Sequence, residues 1–266
     1  MSVEGLFLDI AALVPSSRNN SPVVALCYHR LSDHVDGTSL DRFTISREMF
    51  SHQVSTIIES GLEMIGPDRF WQATKPAVML TLDDNLLSHV RDAMPVLAEF
   101  GVTGTFFLNP AELGQPGQLS PDDVDELLAA GMWVGAHNND RTVASLYSPD
   151  DFEAEVVSCR EYLESLGMPL IWAYPGGYIG SFQETHDDIL RQHGFNLRFS
   201  TLEEPCDLQD SNRVQGRYVI RRNCSDRYFR SALAGGLQML RIYKKTMAKI
   251  WPASRSRADM TDFPRL

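Results

Sequence analysis

Seven apolar runs recur along the chain: VVALCYH (23–29), AVMLTLDD (77–84), VTGTFFLN (102–109), MWVGAHNND (132–140), LIWAYPGG (170–177), NLRFSTLEEP (196–205) and RYVIRR (217–222). They read as strands, most of them followed by polar or glycine-bearing turns. Between them lie amphipathic stretches with helical spacing. SHVRDAMPVLAEFG ends at a C-capping Gly101, and SPDDVDELLAAG runs from Ser120 to Gly131. SPDDFEAEVVSCREYLESLG runs from a cap-like Ser148 to Gly167, and SFQETHDDILRQHG ends at Gly194. Repeated βα units predict parallel strands, and about seven of them predict an α/β barrel, with an open doubly wound sheet as the alternative.

In a parallel barrel the chemistry sits at the C-terminal ends of the strands. That rule gathers His29, the adjacent Asp83 and Asp84, Asn109, His137 with Asn138, Asn139 and Asp140, and the stretch Tyr174-Pro175-Gly176-Gly177. Two neighbouring acids at the mouth of an apolar core repel each other and resist desolvation, so they need a cation, a shared proton or a chemical task. With His137 and Asp140 they supply ligands suited to zinc, manganese, cobalt or nickel. Such a site, with open positions, activates water, and the carboxylate that does not hold the metal takes the proton. Spacing alone favours a plainer reading. Asp84 precedes NLLSHVRDAMPVL as a helix N-cap would, and a single histidine at a strand end is commonly a hydrogen-bonded loop residue. His52, His186 and His193 fall on helical patterns and His34 in a polar loop, while His89 reads as a helix-surface residue close to the acids.

Composition narrows the picture. The 266 residues, 43% hydrophobic, carry no Pro/Gly/Ser-rich linker and fit one main domain. Cys27, Cys159, Cys206 and Cys224 form no CxxC pair, which speaks against a zinc knuckle and fits a reducing compartment. No run reaches the roughly 18 apolar residues of a membrane span, and the N-terminus opens with an acid, so the expected location is cytoplasmic. The net charge of −11 is uneven: residues 1–212 hold 11 Lys/Arg against 32 Asp/Glu, and residues 213–266 hold 13 against 3. The acidic body argues against nucleic acid as the main partner. The basic end carries Leu233, Leu237, Leu240, Tyr243, Met247 and Ile250 at helical spacing, a pattern shared by helices that pack on protein and helices that lie on a membrane surface. The expected division is an N-terminal extension (1–21), a main domain (22–225), and a basic amphipathic helix with tail (226–266).

The motifs TLDDN, GAHNNDR and AYPGGY, preceded by CYHRL, resemble those of the polysaccharide deacetylases with a NodB-homology domain, carbohydrate esterase family 4. The likeness is to the branch with a Tyr-His-Arg strand near the start, and it runs from about residue 22 to 222. The resemblance implies a distorted (β/α) barrel of about seven parallel strands and metal-dependent hydrolysis of N-acyl groups from amino sugars. It implies that Asp83 is the general base and that Asp84 and His137 hold the metal. The family's second ligand histidine falls on Arg141, whose guanidinium cannot give up its proton to bind a metal. Two resolutions follow: Asp140 supplies the third ligand, or Arg141 replaces the cation in a salt bridge to Asp84 and the protein binds sugar without cleaving it. The third motif reads Ala173-Tyr174-Pro175-Gly176-Gly177 and is expected to serve substrate and oxyanion, with Asn109, Arg141 and Arg221 nearby. The family's late histidine acid is absent near RYVIRR, which makes His29 the substitute. The expected function is a deacetylase or deformylase acting on an amino sugar in free, nucleotide-linked or lipid-linked form, within surface-polysaccharide assembly such as lipopolysaccharide O-antigen. Peripheral membrane contact through the C-terminal helix would accompany a lipid-linked substrate.

Overall fold

The predicted runs become strands β1 (Val23–Tyr28), β3 (Ala77–Asp83), β4 (Thr105–Leu108), β5 (Trp133–Ala136), β6 (Ile171–Ala173), β7 (Leu197–Phe199) and β8 (Tyr218–Val219) in the computed structural model, which describes residues 23–234. A two-residue strand, β2 (Glu63–Met64), pairs with the start of β3 and was not predicted. All pairings are parallel, in the order β7-β6-β5-β4-β3-β1-β8. The sheet does not stay open. Gln215 bridges to Phe199 on β7, and β8, three residues later, pairs with β1, so one segment spans both sheet edges. The alternative of an open doubly wound sheet is thereby set aside in favour of a curled, distorted barrel.

Side chains alternate across a strand, so one parity faces the inside of the curl. Val23 and Ala25, Ala77 and Met79, Ile171 and Ala173, and Leu197 and Phe199 form the interior cluster with Phe107. The same parity, carried to the strand ends, turns Cys27 and Asp83 inward. Gly135 makes room: a Cβ there would lie 2.6 Å from the Phe107 ring.

Helices cover the outside: α1 (Arg47–Glu59), α2 (Met94–Glu99), α3 (Pro121–Ala129), α4 (Pro149–Ser165) and α5 (Glu184–Gln192). Ser120 and Asp123 form a reciprocal capping box on α3, and Ser148 caps α4. The stretch SHVRDAMPVLAEF is not one helix. A wide π turn over His89–Ala93 precedes α2, because Pro95 lacks the N–H that a continuous helix would need there.

The described chain up to Asn223 forms one compact unit, and the segment from Cys224 belongs to a second. That segment contains α6 (Asp226–Leu233), capped by Ser225, which accepts from the Tyr228 N–H. The N-terminal extension and the basic helix beyond Ala234 lie outside the described residues. No described helix is long and apolar enough to cross a membrane. All four cysteines are free thiols.

Candidate active site

Asp83, 1% exposed, ends β3 inside the barrel and meets Arg217, 0% exposed, on the segment that spans the sheet edges. Arg217 donates from Nη1 to Asp83 Oδ1 and from Nη2 to Asp83 Oδ2, both at 2.7 Å. Its remaining contacts are also specific: Nη1 donates to Thr81 Oγ1 at 2.9 Å and Nε to the Ser200 carbonyl at 3.1 Å. The guanidinium lies over the Phe107 and Phe199 rings. Burial alone would raise the Asp83 pKa, but the Arg217 charge, with His137 and the Arg217 hydrogen bonds, holds it below the usual carboxylate range. The Cys27 thiol also donates to Asp83 Oδ2, at 3.4 Å, and burial pushes its own pKa well up.

Asp84 leaves the strand in a left-handed conformation, φ 83°, followed by Asn85 at φ 44°. This turn re-aims Asp84 toward His137 instead of letting it cap a helix. Asn85 stabilises it by a reciprocal link: its Nδ2 donates to the Asn109 carbonyl at 2.9 Å and its Oδ1 accepts from the Asn109 N–H at 2.6 Å. His137 Nε2 lies 3.5 Å from Asp84 Oδ1 and 3.9 Å from Asp83 Oδ2. Its Nδ1 faces the Ala173 carbonyl at 2.8 Å, which directs the Nδ1 proton outward and leaves Nε2 for the site. Burial works against a charged His137, yet the two carboxylates raise its pKa above the ordinary value. Burial would likewise raise Asp84, and the His137 hydrogen bond and the neighbouring His29 outweigh it.

The family's divalent metal can be tested against this geometry. Ligands about 2.0–2.2 Å from a tetrahedral zinc lie roughly 3.4 Å apart. The 3.5 Å between Asp84 and His137, and the carbonyl behind the imidazole, fit two ligands of such an ion.

Asp140 is not presented to this pair. Its carboxylate is exposed and turned into its own loop, accepting from Tyr147 Oη at 2.7 Å and the Thr142 N–H at 3.0 Å. Arg141, at φ 62°, does not salt-bridge Asp84 either; its Nε lies 2.7 Å from Glu112 Oε2. The arginine that pairs with the acids is Arg217, and its partner is Asp83. Arg221 is exposed beside Glu203, 3.5 Å away. Asn109 is a buried brace, donating from Nδ2 to the carbonyls of His137 and Asn138. Tyr174 is fully buried, stacks on Phe182 with ring centroids 4.0 Å apart, and donates to Asp187 Oδ1 at 3.3 Å. Its backbone N–H is spent on the Phe199 carbonyl.

His29 is half-buried near the acids, stacked on Phe43, and burial lowers its pKa despite the nearby Asp84 and Asp83. His89 is not a surface residue: it is buried, and its Nε2 donates to the His29 carbonyl at 3.0 Å. The sequence reading missed Arg217 and Cys27. Strand parity from Ala25 would have pointed Cys27 inward.

The curled parallel barrel, with Asp83 and Asp84 at the end of β3 and His137 after β5, is of the NodB-homology type, and residues 72–197 match the polysaccharide deacetylase family. Among individual proteins, the chain is similar to YxkH of Bacillus subtilis (strain 168), named as a polysaccharide deacetylase. The two share 23% identity over 206 residues, 74% of this chain and 69% of that protein. In fold it resembles the Streptococcus pyogenes deacetylase PplD in complex with acetate (TM-score 0.72, 20% identity, 79% of this chain and 97% of that one). It also resembles IcaB from Ammonifex degensii (TM-score 0.65, 24% identity, 82% and 98%).

Proposed function

We propose that this protein is a metal-dependent amidohydrolase that removes an acetyl or formyl group from an amino sugar of a glycan. The observation that carries the reading is the Asp84–His137 pair at metal-ligand spacing beside a second, separately held carboxylate, Asp83. A divalent ion, zinc in the first place with manganese, cobalt or nickel as alternatives, supplies Lewis-acid polarisation of the acyl carbonyl and acidifies water when bound.

The chain's own groups do the rest. Asp83 is kept ionised by Arg217 and so is ready to accept a proton at neutral pH. Arg217 fixes the carboxylate plane, which limits Asp83 to one direction of attack on that proton. His29, neutral through burial, relays the proton to the leaving nitrogen and does not donate one of its own. For the oxyanion, the Tyr174-Pro175-Gly176-Gly177 stretch offers the Gly176 amide. The Tyr174 N–H bonds Phe199, Pro175 has none, and the Gly177 N–H turns onto the Pro175 carbonyl, which leaves Gly176.

The substrate class is supported by the family and by relatives such as PplD, whose structure holds acetate, the acid that N-acetyl hydrolysis releases. A glycan intermediate of surface-polysaccharide assembly, nucleotide- or lipid-linked, in the cytoplasm, is the setting we assign. The test is acid release from N-acetyl and N-formyl amino-sugar oligosaccharides by the full chain, together with its metal content. Activity and bound metal should both disappear in Asp84→Ala and His137→Ala. Full activity in both variants would sink the reading.

A further inference from the structure

Beside the Asp84–His137 pair lies a second donor set, drawn from the CYHRL and TLDDN stretches, to which the resemblance assigns no metal. Ligand atoms of Cys27, His29 and Asp83 all lie within 4.8 Å of one another. Cys27 Sγ is 3.4 Å from Asp83 Oδ2 and 4.0 Å from His29 Nδ1. A tetrahedral ion with a sulfur ligand at about 2.3 Å and oxygen or nitrogen ligands at 2.0–2.2 Å places sulfur about 3.6 Å from each of the others. The observed separations bracket that value, so a small closure of His29 toward Cys27 completes three corners of a tetrahedron.

Charge and access agree with the geometry. With the His137 imidazole neutral, Asp83, Asp84 and Arg217 leave one net negative charge buried at the strand ends. A divalent ion that displaces the Cys27 proton brings the group to neutrality. Arg217 need not leave, because a carboxylate offers about four lone-pair positions and Arg217 takes two of them. The thiol hydrogen between Sγ and Oδ2 occupies the direction the ion would take. His29, half-buried, provides the open side, and the His89 bond to its carbonyl fixes its backbone.

We propose that Cys27, His29 and Asp83 form a thiophilic metal site, selective for zinc or cobalt over magnesium or manganese, that is distinct from the Asp84–His137 pair. Binding is Cys27–SH plus M²⁺ giving a Cys27 thiolate–metal bond and one proton released to solvent. Occupancy takes Asp83 out of proton transfer, so an ion here inhibits the deacetylation proposed above. The site itself stands or falls independently of that reading.

The test is a cobalt(II) titration of the full chain, followed by the near-ultraviolet thiolate-to-cobalt charge-transfer band, with thermal melting to confirm that each variant is folded. The wild type should develop the band, with a proton released for each ion bound. Cys27→Ser should lose the band, Cys224→Ser should keep it, and His29→Gln should weaken it by about tenfold or more. Asp84→Ala and His137→Ala, which abolish the deacetylase site, should keep it. No band in the wild type, a band that survives Cys27→Ser, binding untouched by His29→Gln, or a band lost in Asp84→Ala would each overturn the proposal.

Discussion

Arg217 and Asp83 are 134 residues apart in sequence and joined by two 2.7 Å hydrogen bonds inside the barrel. The pair ties the segment that bridges the sheet edges to the strand that carries the candidate base. Its stability role and its proposed chemical role therefore cannot be separated by one substitution. Arg217→Met leaves a buried, unpaired carboxylate, expected to cost about 3–5 kcal/mol. Adding Asp83→Asn should restore part of that loss, since the uncompensated charge is gone. Urea unfolding of the two single variants and the double variant measures the coupling; strict additivity would show that the pair is not an energetic unit.

Tyr174 sits in the motif expected to touch substrate, but its ring is stacked on Phe182 and its hydroxyl points to Asp187. Asp187 is already held by Arg198, whose Nε donates to Oδ1 at 2.7 Å and Nη2 to Oδ2 at 3.1 Å. Tyr174→Phe should therefore cost about 1.5–3 kcal/mol, the scale of one hydrogen bond to a charged group. Its KM for an N-acetyl amino-sugar substrate should match the wild type. A large KM increase at unchanged stability would return Tyr174 to the substrate surface.

The contrast between Tyr174 and Arg217 marks what was legible in the sequence. The strands were readable because apolar runs with turn signals are local features, and the acids at 83 and 84 stood out because charge at the end of such a run is costly. Which side a residue faces on a strand is also local, so Cys27 was within reach. Arg217 was not, because its pairing depends on how the barrel edges meet. The stretch RYVIRR contains both the buried Arg217 and the exposed Arg221, and strand alternation alone cannot choose between them, since both share one parity. Asp140 and Arg141 were misplaced for a related reason: Asn138 at φ 60° and Arg141 at φ 62° redirect the loop, and backbone handedness at non-glycine residues leaves little mark on a sequence.

His89 offers a pH test. Burial lowers its pKa from 6.5 to about 4, only partly offset by its bond to the His29 carbonyl. Between those values the unfolded chain binds a proton that the folded one does not, so stability falls as pH drops through that window and levels off below it. The span corresponds to about 3 kcal/mol. Gln can keep a donor near the Nε2 position without titrating, so His89→Gln should lose less stability on acidification from pH 6.5 to 4 than the wild type does. Melting curves across that range check it; parallel losses would show that another group governs the acid limb.

Arg141 stands where the family resemblance calls for a ligand histidine, and its side chain lies against Glu112 while still lowering the Asp84 pKa through its charge. Replacing it should strengthen metal binding at Asp84 and His137 in two separable ways. Arg141→Gln removes only the repulsion between guanidinium and ion. Arg141→His removes the same charge and adds an imidazole, in a left-handed conformation that histidine adopts more readily than most residues. Combined with Glu112→Gln, so that no carboxylate is stranded, Arg141→His should bind zinc about tenfold or more tighter than the Arg141→Gln counterpart, the scale on which even outer-shell partners act. Asp140→Ala should leave the affinity unchanged, because its carboxylate is engaged by Tyr147 and Thr142. Competition against a chromophoric chelator measures all of these. Equal affinity in the histidine and glutamine variants would mean that the side chain at 141 does not reach the ion, and that the loop's turn toward Glu112 persists without the arginine.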